Sequence, residues 1–113
     1  MSETLLLTMT YGEAFAEAEY FGKNVRVLAG STINKVSYQS LADHIEDRKT
    51  KAISEGEVAL SSNHELYEVK RPITFNSPSA AACFVAGCSV SGPREWQVKH
   101  KGKSLKYWLN KKK

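Results

Sequence analysis

The sequence predicts an α+β fold, a small antiparallel sheet packed by two main helices, and three stretches predict it. EAFAEAEY (Glu13–Tyr20) and VRVLA (Val25–Ala29) both alternate with a period of two and flank a glycine turn, Phe21-Gly22-Lys23-Asn24, as a hairpin does. LADHIEDRKTKAI places Leu41, Ile45, Ala52 and Ile53 on one face at helical spacing before a stop at Gly56. FNSPSAAACFVAG carries an N-cap serine, a first-turn proline, three alanines and a glycine stop, all within thirteen residues.

Leu5–Thr10 (LLLTMT) is short and apolar, so residues 1–12 read as a lead-in or a first strand. The alanines and glutamates of 13–20 favour helix by propensity, but the period of two and the β-branched VRV that follows make the segment a strand. Gly30-Ser31 ends the second strand, and Asn34–Ser40 reads as a loop. Ser40 with Asp43 is a weakened capping box for a helix over 41–55, on which Asp43, Glu46, Asp47, Arg48, Lys49 and Lys51 are expected in solvent. Val58–Leu60 is a short strand, 61–64 a turn, and LYEVK (66–70) a strand that Pro72 makes an edge or ends. Ser77 then caps a helix whose alanines have almost no bulk, so it can approach a neighbour closely, with Cys83, Phe84 and Val85 as its apolar face. Gly87 suits the residue after that helix, where φ is often positive. Ser91-Gly92-Pro93 turns the chain toward Trp96, a core anchor in the alternating EWQVKH, and Ser104 caps a last turn through Leu105 to Leu109. The expected organisation is one domain over 13–109 with a basic tail at 110–113.

Size and composition are those of an ordinary globular domain. A chain of 113 residues with 42% apolar and 25% charged residues buries roughly 60–70% of its unfolded surface without needing staples. No apolar run approaches the roughly 20 residues of a membrane span, and Leu5–Leu7 lacks the basic start of a secretory signal. A cytoplasmic protein with no membrane partner is the expectation, and Cys83 and Cys88 are read as reduced thiols. The net charge of +4 is unevenly spread: residues 94–113 carry eight Lys/Arg against one acid, and residues 1–93 carry eight against eleven. A basic end on a mildly acidic body favours a polyanionic partner.

Catalytic chemistry is not evident. There is no phosphate-binding glycine loop, no nucleophile elbow and no HExxH, and His44, His64 and His100 are scattered away from any ligand-spaced Cys or carboxylate. The acids of the 41–55 helix are explained by i,i+3 and i,i+4 pairing with Arg48, Lys49 and Lys51. The expectation is therefore a non-enzyme with no catalytic residues, no metal and no cofactor. Trp108 and Tyr107 among the lysines either stack on bases or form the apolar face of a closing helix.

VRVLAGS (25–31), the 41–56 helix, FNSPSAAACFVAGCSVSGPREW (75–96) and GKSL (102–105) together resemble a small prokaryotic and phage domain of unknown function. That domain is often appended to the C-terminus of GIY-YIG nucleases and is similar to the RAMA (restriction enzyme and adenine methylase associated) domain. The resemblance covers 16–108, with Ser91-Gly92 standing where the family has Asn-Gly; both pairs suit a turn. It brings no catalytic residues. It implies a non-catalytic accessory domain that recognises DNA, modified DNA included, in a restriction or nuclease context.

Lys99, Lys101, Lys103 and Lys106 are expected to contact phosphates, Arg94 to read a base edge, and Trp108 to stack. The alternative is a protein-interaction module whose partner is a nuclease, a methylase or a phage/host defence protein.

Overall fold

Two hairpins in succession begin the chain. β1 (Leu5–Tyr11), β2 (Ala14–Phe21) and β3 (Asn24–Val27) are joined by two-residue loops that each start with glycine, Gly12 at φ 62° and Gly22 at φ 63°. Such primed turns match the twist of the strands they join. β1 pairs with β2 along its whole length, Leu5 opposite Tyr20 through Tyr11 opposite Ala14. Alternation then sends Leu7, Met9, Ala14, Ala16, Ala18, Val25 and Val27 to one buried face. The computed structural model describes the backbone of residues 4–62, 65–99 and 103–111, and the side chains of all of these except 110 and 111.

The other strands divide between two sheets. β7 (Ile73–Phe75) adds to β3, while β8 (Gln97–Val98) and β9 (Lys103–Ser104) extend from β1, giving the order β7-β3-β2-β1-β8-β9. β4 (Thr32–Asn34), β6 (Leu66–Val69) and β5 (Val58–Leu60) form a second antiparallel sheet in the order β4-β6-β5. The α+β class stands, but the strands form two antiparallel sheets rather than the single small sheet expected, with the Leu66 strand in the second. The chain leaves the main sheet after Val27 through Gly30, whose φ is 92°. Gly30 N–H then donates to Val69 O and Val69 N–H to Ser31 O, both at 2.8 Å, which seats the Leu66 strand beside β4. β4 and β7, three residues each, were not expected from the sequence, and of their residues only Asn34 falls in the stretch read as loop.

Side chains join the sheets. Beyond its pairing with β3, β2 still has backbone groups to satisfy. Thr32 Oγ1 accepts from Phe15 N–H at 2.9 Å and donates to Phe15 O at 3.3 Å; Ser31 Oγ does the same for Glu17, at 3.0 and 3.2 Å. Two adjacent hydroxyls thus supply partners to Phe15 N–H, Phe15 O and Glu17 N–H, and a second donor to Glu17 O, which also accepts from Leu28 N–H at 2.9 Å.

α2 (Pro78–Ala86) lies across the inner face and touches β1, β2, β3, β4 and β7. Ser77 Oγ accepts from Ala80 N–H at 3.1 Å, Pro78 occupies the first turn, and Gly87 closes the helix at φ 81°. Ala81, Ala82, Phe84, Val85 and Ala86 are all fully buried, which makes α2 a central helix rather than an amphipathic one. Phe84 meets Phe75 with ring centroids 4.9 Å apart, and burying a side chain of that size contributes roughly 2–3 kcal/mol.

α1 (Asp43–Ser54) is shorter than its sequence pattern, and its N-cap, Ala42, makes no side-chain bond. The expected capping box is not formed because Ser40 Oγ accepts from Ser89 N–H at 3.1 Å instead. Lys49 also departs from expectation: it is 2% exposed. Its Nζ donates to Asn34 O at 2.9 Å, Lys35 O at 3.0 Å and Ser37 Oγ at 2.9 Å, using all three ammonium protons. Burial pushes its pKa below 10.5, against a smaller opposing pull from Glu46.

Ser91-Gly92-Pro93 starts a single helical turn, α3 (Gly92–Glu95), and α4 (Leu105–Lys111) closes the fold. Among the described residues no helix is long and apolar enough to cross a membrane.

Three substitutions test these contacts. A Cβ at Gly92 would lie 2.3 Å from Pro78 C and Ser79 N. Gly92→Ala should therefore cost about 3 kcal/mol or more, since the obstacle is backbone; a urea midpoint equal to that of the parent would contradict the close approach. Lys49→Met leaves two carbonyls and a hydroxyl without their donor and should cost about 1–3 kcal/mol. Unchanged stability would mean the lysine holds nothing in place. Arg48 Nη1 bonds Glu57 Oε1 at 2.8 Å, and this bond holds the Glu57 carboxyl below 4.5. A carboxyl depressed in the folded state stabilises above its unfolded pKa and loses that contribution as pH falls through the folded value. The stability gap between parent and Glu57→Gln should accordingly be present at neutral pH and close on acidification; a gap that stays constant with pH would rule the pair out as its source.

Candidate nucleic-acid interface

The C-terminal elements form one continuous unit on the α2 N-terminus. Gly92 sits against Pro78 and Ser79, and Trp96, wholly buried, donates its Nε1–H to Pro78 O at 3.1 Å. Leu105 N–H donates to Trp96 O at 2.7 Å and its side chain is buried, which ties the start of α4 to the end of α3. β8 adds to β1 at Leu7 and Thr8, and Lys99 N–H donates to Leu6 O at 2.8 Å. α3, β9 and α4 all touch one another. Trp96 is therefore the pin of this unit, as its place in the sequence suggests.

Arg94 on α3, Lys103 on β9 and Lys106 on α4 are exposed and belong to this one unit. Among the described residues neither Arg94 nor Lys106 has a carboxylate within ion-pair distance. Lys103 Nζ lies over the Tyr107 ring, 5.3 Å from its centroid. Tyr107 itself is 46% exposed, and its N–H donates to Ser104 Oγ at 3.3 Å, the cap expected for the last helix.

Lys99 is used differently. Its Nζ pairs with Glu17 Oε2 at 3.0 Å across the outer face of the main sheet, and Arg26 pairs with Glu19 at 3.6 Å on the same face. Trp108 is half-buried and packs against the core, so its ring is part of the closing helix's apolar face. Lys101, His64 and His100 lie outside the described residues.

A second surface was not legible in the sequence. The 35–42 segment has no regular structure, yet its inner side is pinned throughout. Lys49 binds it from α1 as described, Tyr38 N–H donates to Gly87 O at 2.7 Å, and Leu41 N–H donates to Tyr38 O at 3.0 Å. Asn34 Nδ2 donates to Tyr11 O at 3.2 Å and Ala86 O at 3.1 Å. This fixed segment holds out Val36 and Tyr38, 59% and 57% exposed, beside a groove of about 220 Å³ that Tyr11 also lines. Cys88 Sγ donates to Tyr11 Oη at 3.3 Å. That contact holds the Tyr11 phenol above its ordinary pKa of 10.0, with smaller contributions in the same sense from burial, Glu95 and Tyr38. The only trace of this surface in the sequence is an apolar and an aromatic residue inside an otherwise polar loop.

Both cysteines are free thiols. Among the described residues no three His, Cys, Asp or Glu side chains converge as metal ligands would.

No curated protein and no solved structure matches the chain. A model of a family described as a domain of unknown function, DUF4357, matches residues 7–109. The match runs from the first buried residue of β1 into α4, so it takes in the sheets, the central helix and the Trp96 unit together. The chain belongs to the DUF4357 family of domains of unknown function.

Proposed function

We propose that this domain is a non-catalytic, nucleic-acid-associated accessory module that meets DNA with its α3–β8–β9–α4 end. The observation that carries the reading is the placement of charge. Arg94, Lys103 and Lys106 are exposed on one packed unit, whereas on the outer face of the sheet Lys99 and Arg26 are paired with Glu17 and Glu19. Cations held on a fixed unit can meet successive phosphates without first being ordered, and Arg94 is the one able to address a base edge with two parallel bonds. The resemblance to the domain found after GIY-YIG nucleases, and through it to the RAMA domain, supports a restriction or nuclease setting in which modified DNA is among the forms recognised.

A second reading is a protein-interaction module with a nuclease, methylase or phage/host defence partner. It is favoured by Val36 and Tyr38 on their pinned segment, because a pre-ordered apolar pair loses little entropy when it is covered.

Fluorescence anisotropy against matched duplexes, plain and adenine-methylated, separates the two. If three phosphates are neutralised, affinity should fall roughly 40-fold between 50 and 200 mM salt, the slope expected from counterion release. Reversing Lys103 and Lys106 to Glu together should weaken binding at least tenfold. A preference for one duplex would identify a modification reader. Undiminished affinity in the double variant would displace the interface from this end, and no binding at low salt would favour the protein partner.

A further inference from the structure

We propose that the cleft between α1 and β7 is a phosphate-binding site, sized for a phosphate carrying a small organic substituent. The cleft has a volume of about 300 Å³, the lower end of the range for small-molecule pockets. His44 and Arg48, one helical turn apart on α1, form one wall, and Thr74 and Asn76 form the other. Its floor is apolar, with Ile45 and Phe75 at 3% and 7% exposure.

The polar lining is all of one kind. Imidazole, guanidinium, amide and hydroxyl can each donate a hydrogen bond, and no residue lining the cleft is a carboxylate. Donor-bearing residues on two walls suit a tetrahedral oxyanion, which accepts from several directions at once. Arg48 is held in position: the Glu57 carboxylate takes one guanidinium nitrogen, Nη1, at 2.8 Å, which orders the side chain while the planar fork has further N–H groups. Thr74 belongs to β7, the edge strand at the opposite end of the sheet from β9. The cleft is therefore separate from the Lys103 and Lys106 end and does not depend on its function.

The same phosphate chemistry can come from inorganic phosphate, a nucleoside monophosphate or the 5′-terminal phosphate of an oligonucleotide. The test is amide chemical-shift titration of the whole chain with each of these at constant ionic strength. Saturable shifts centred on His44, Thr74 and Asn76 are the expected result, absent when chloride is added instead. His44→Glu and Asn76→Asp each add a negative charge at an exposed position and should weaken binding at least tenfold; retained sheet and helix dichroism confirms folding, and either variant alone suffices. Tighter binding of adenosine monophosphate than of phosphate, with shifts reaching Phe75, identifies a nucleotide. Equal affinities identify the free anion. Binding only of the 5′-phosphorylated oligonucleotide, unaffected by reversal of Lys103 and Lys106, identifies a strand end. Shifts reproduced by chloride, no saturation with any of the three probes, or binding unchanged in both variants would overturn the site.

Discussion

Both ends of α2 are closed by backbone-to-backbone contact, and the placement of the surrounding surfaces follows from that. At its first turn, a Cβ on Gly92 would meet the Pro78 and Ser79 backbone at 2.3 Å; beyond its last turn, a Cβ on Gly87 would meet Val36 O at 2.3 Å. Close packing of this kind transmits position well because little can shift. The Gly92 contact, reinforced by Trp96 on Pro78 O, sets where α3 and β8 lie and so where the C-terminal cations stand. The Gly87 contact, reinforced by Tyr38 N–H on Gly87 O, sets where Val36 and Tyr38 emerge. A helix that carries no polar function of its own thus positions two candidate surfaces.

Polar side chains do the rest of the joining, at places where a longer strand could have done it. Ser31 and Thr32 complete the free edge of β2 with their hydroxyls, so the chain can leave the main sheet and still satisfy it. Lys49 fills the corresponding role for the 34–37 segment, whose carbonyls face away from any strand partner. A buried ammonium is costly unless every proton finds an acceptor, and here each one does. The lowered pKa is the residue of that cost, and the ordered loop is what the arrangement produces.

How much of this could be read from the sequence depended on the range of the interactions. The β2–β3 hairpin and α2 were legible because period-two alternation, Ser77-Pro78 and Gly87 are local signals that agree with the packing around them. The burial of Trp96 was legible from its place after a tight turn in an alternating run. β4 and β7 are too short for alternation to register, and the Leu66 strand's sheet was decided by Gly30 and Val69, nearly forty residues apart. Lys49 looked solvated because a lysine within a run of charges usually is; only the arrival of 34–37 beside α1 gives its head group acceptors. Among the candidate site residues, the ion pair made by Lys99 was hidden from the sequence for a similar reason. Its partner Glu17 lies on β2, two strands away in the sheet and far along the chain.

That pairing sharpens the charge argument. Net charge by sequence segment makes the whole C-terminal stretch look available to a polyanion, yet an exposed ion pair already occupies Lys99 and would have to be exchanged for a phosphate. The exchange is cheap, since exposed pairs are worth no more than about 1 kcal/mol, but it leaves Glu17 facing the incoming backbone. The effective cationic surface is consequently narrower than the sequence implies and shifts from β8 toward α3, β9 and α4. On the proposed function, a strand of nucleic acid would find its uncompensated cations at the end built on Trp96, because on the open sheet face Lys99 and Arg26 are already neutralised by Glu17 and Glu19.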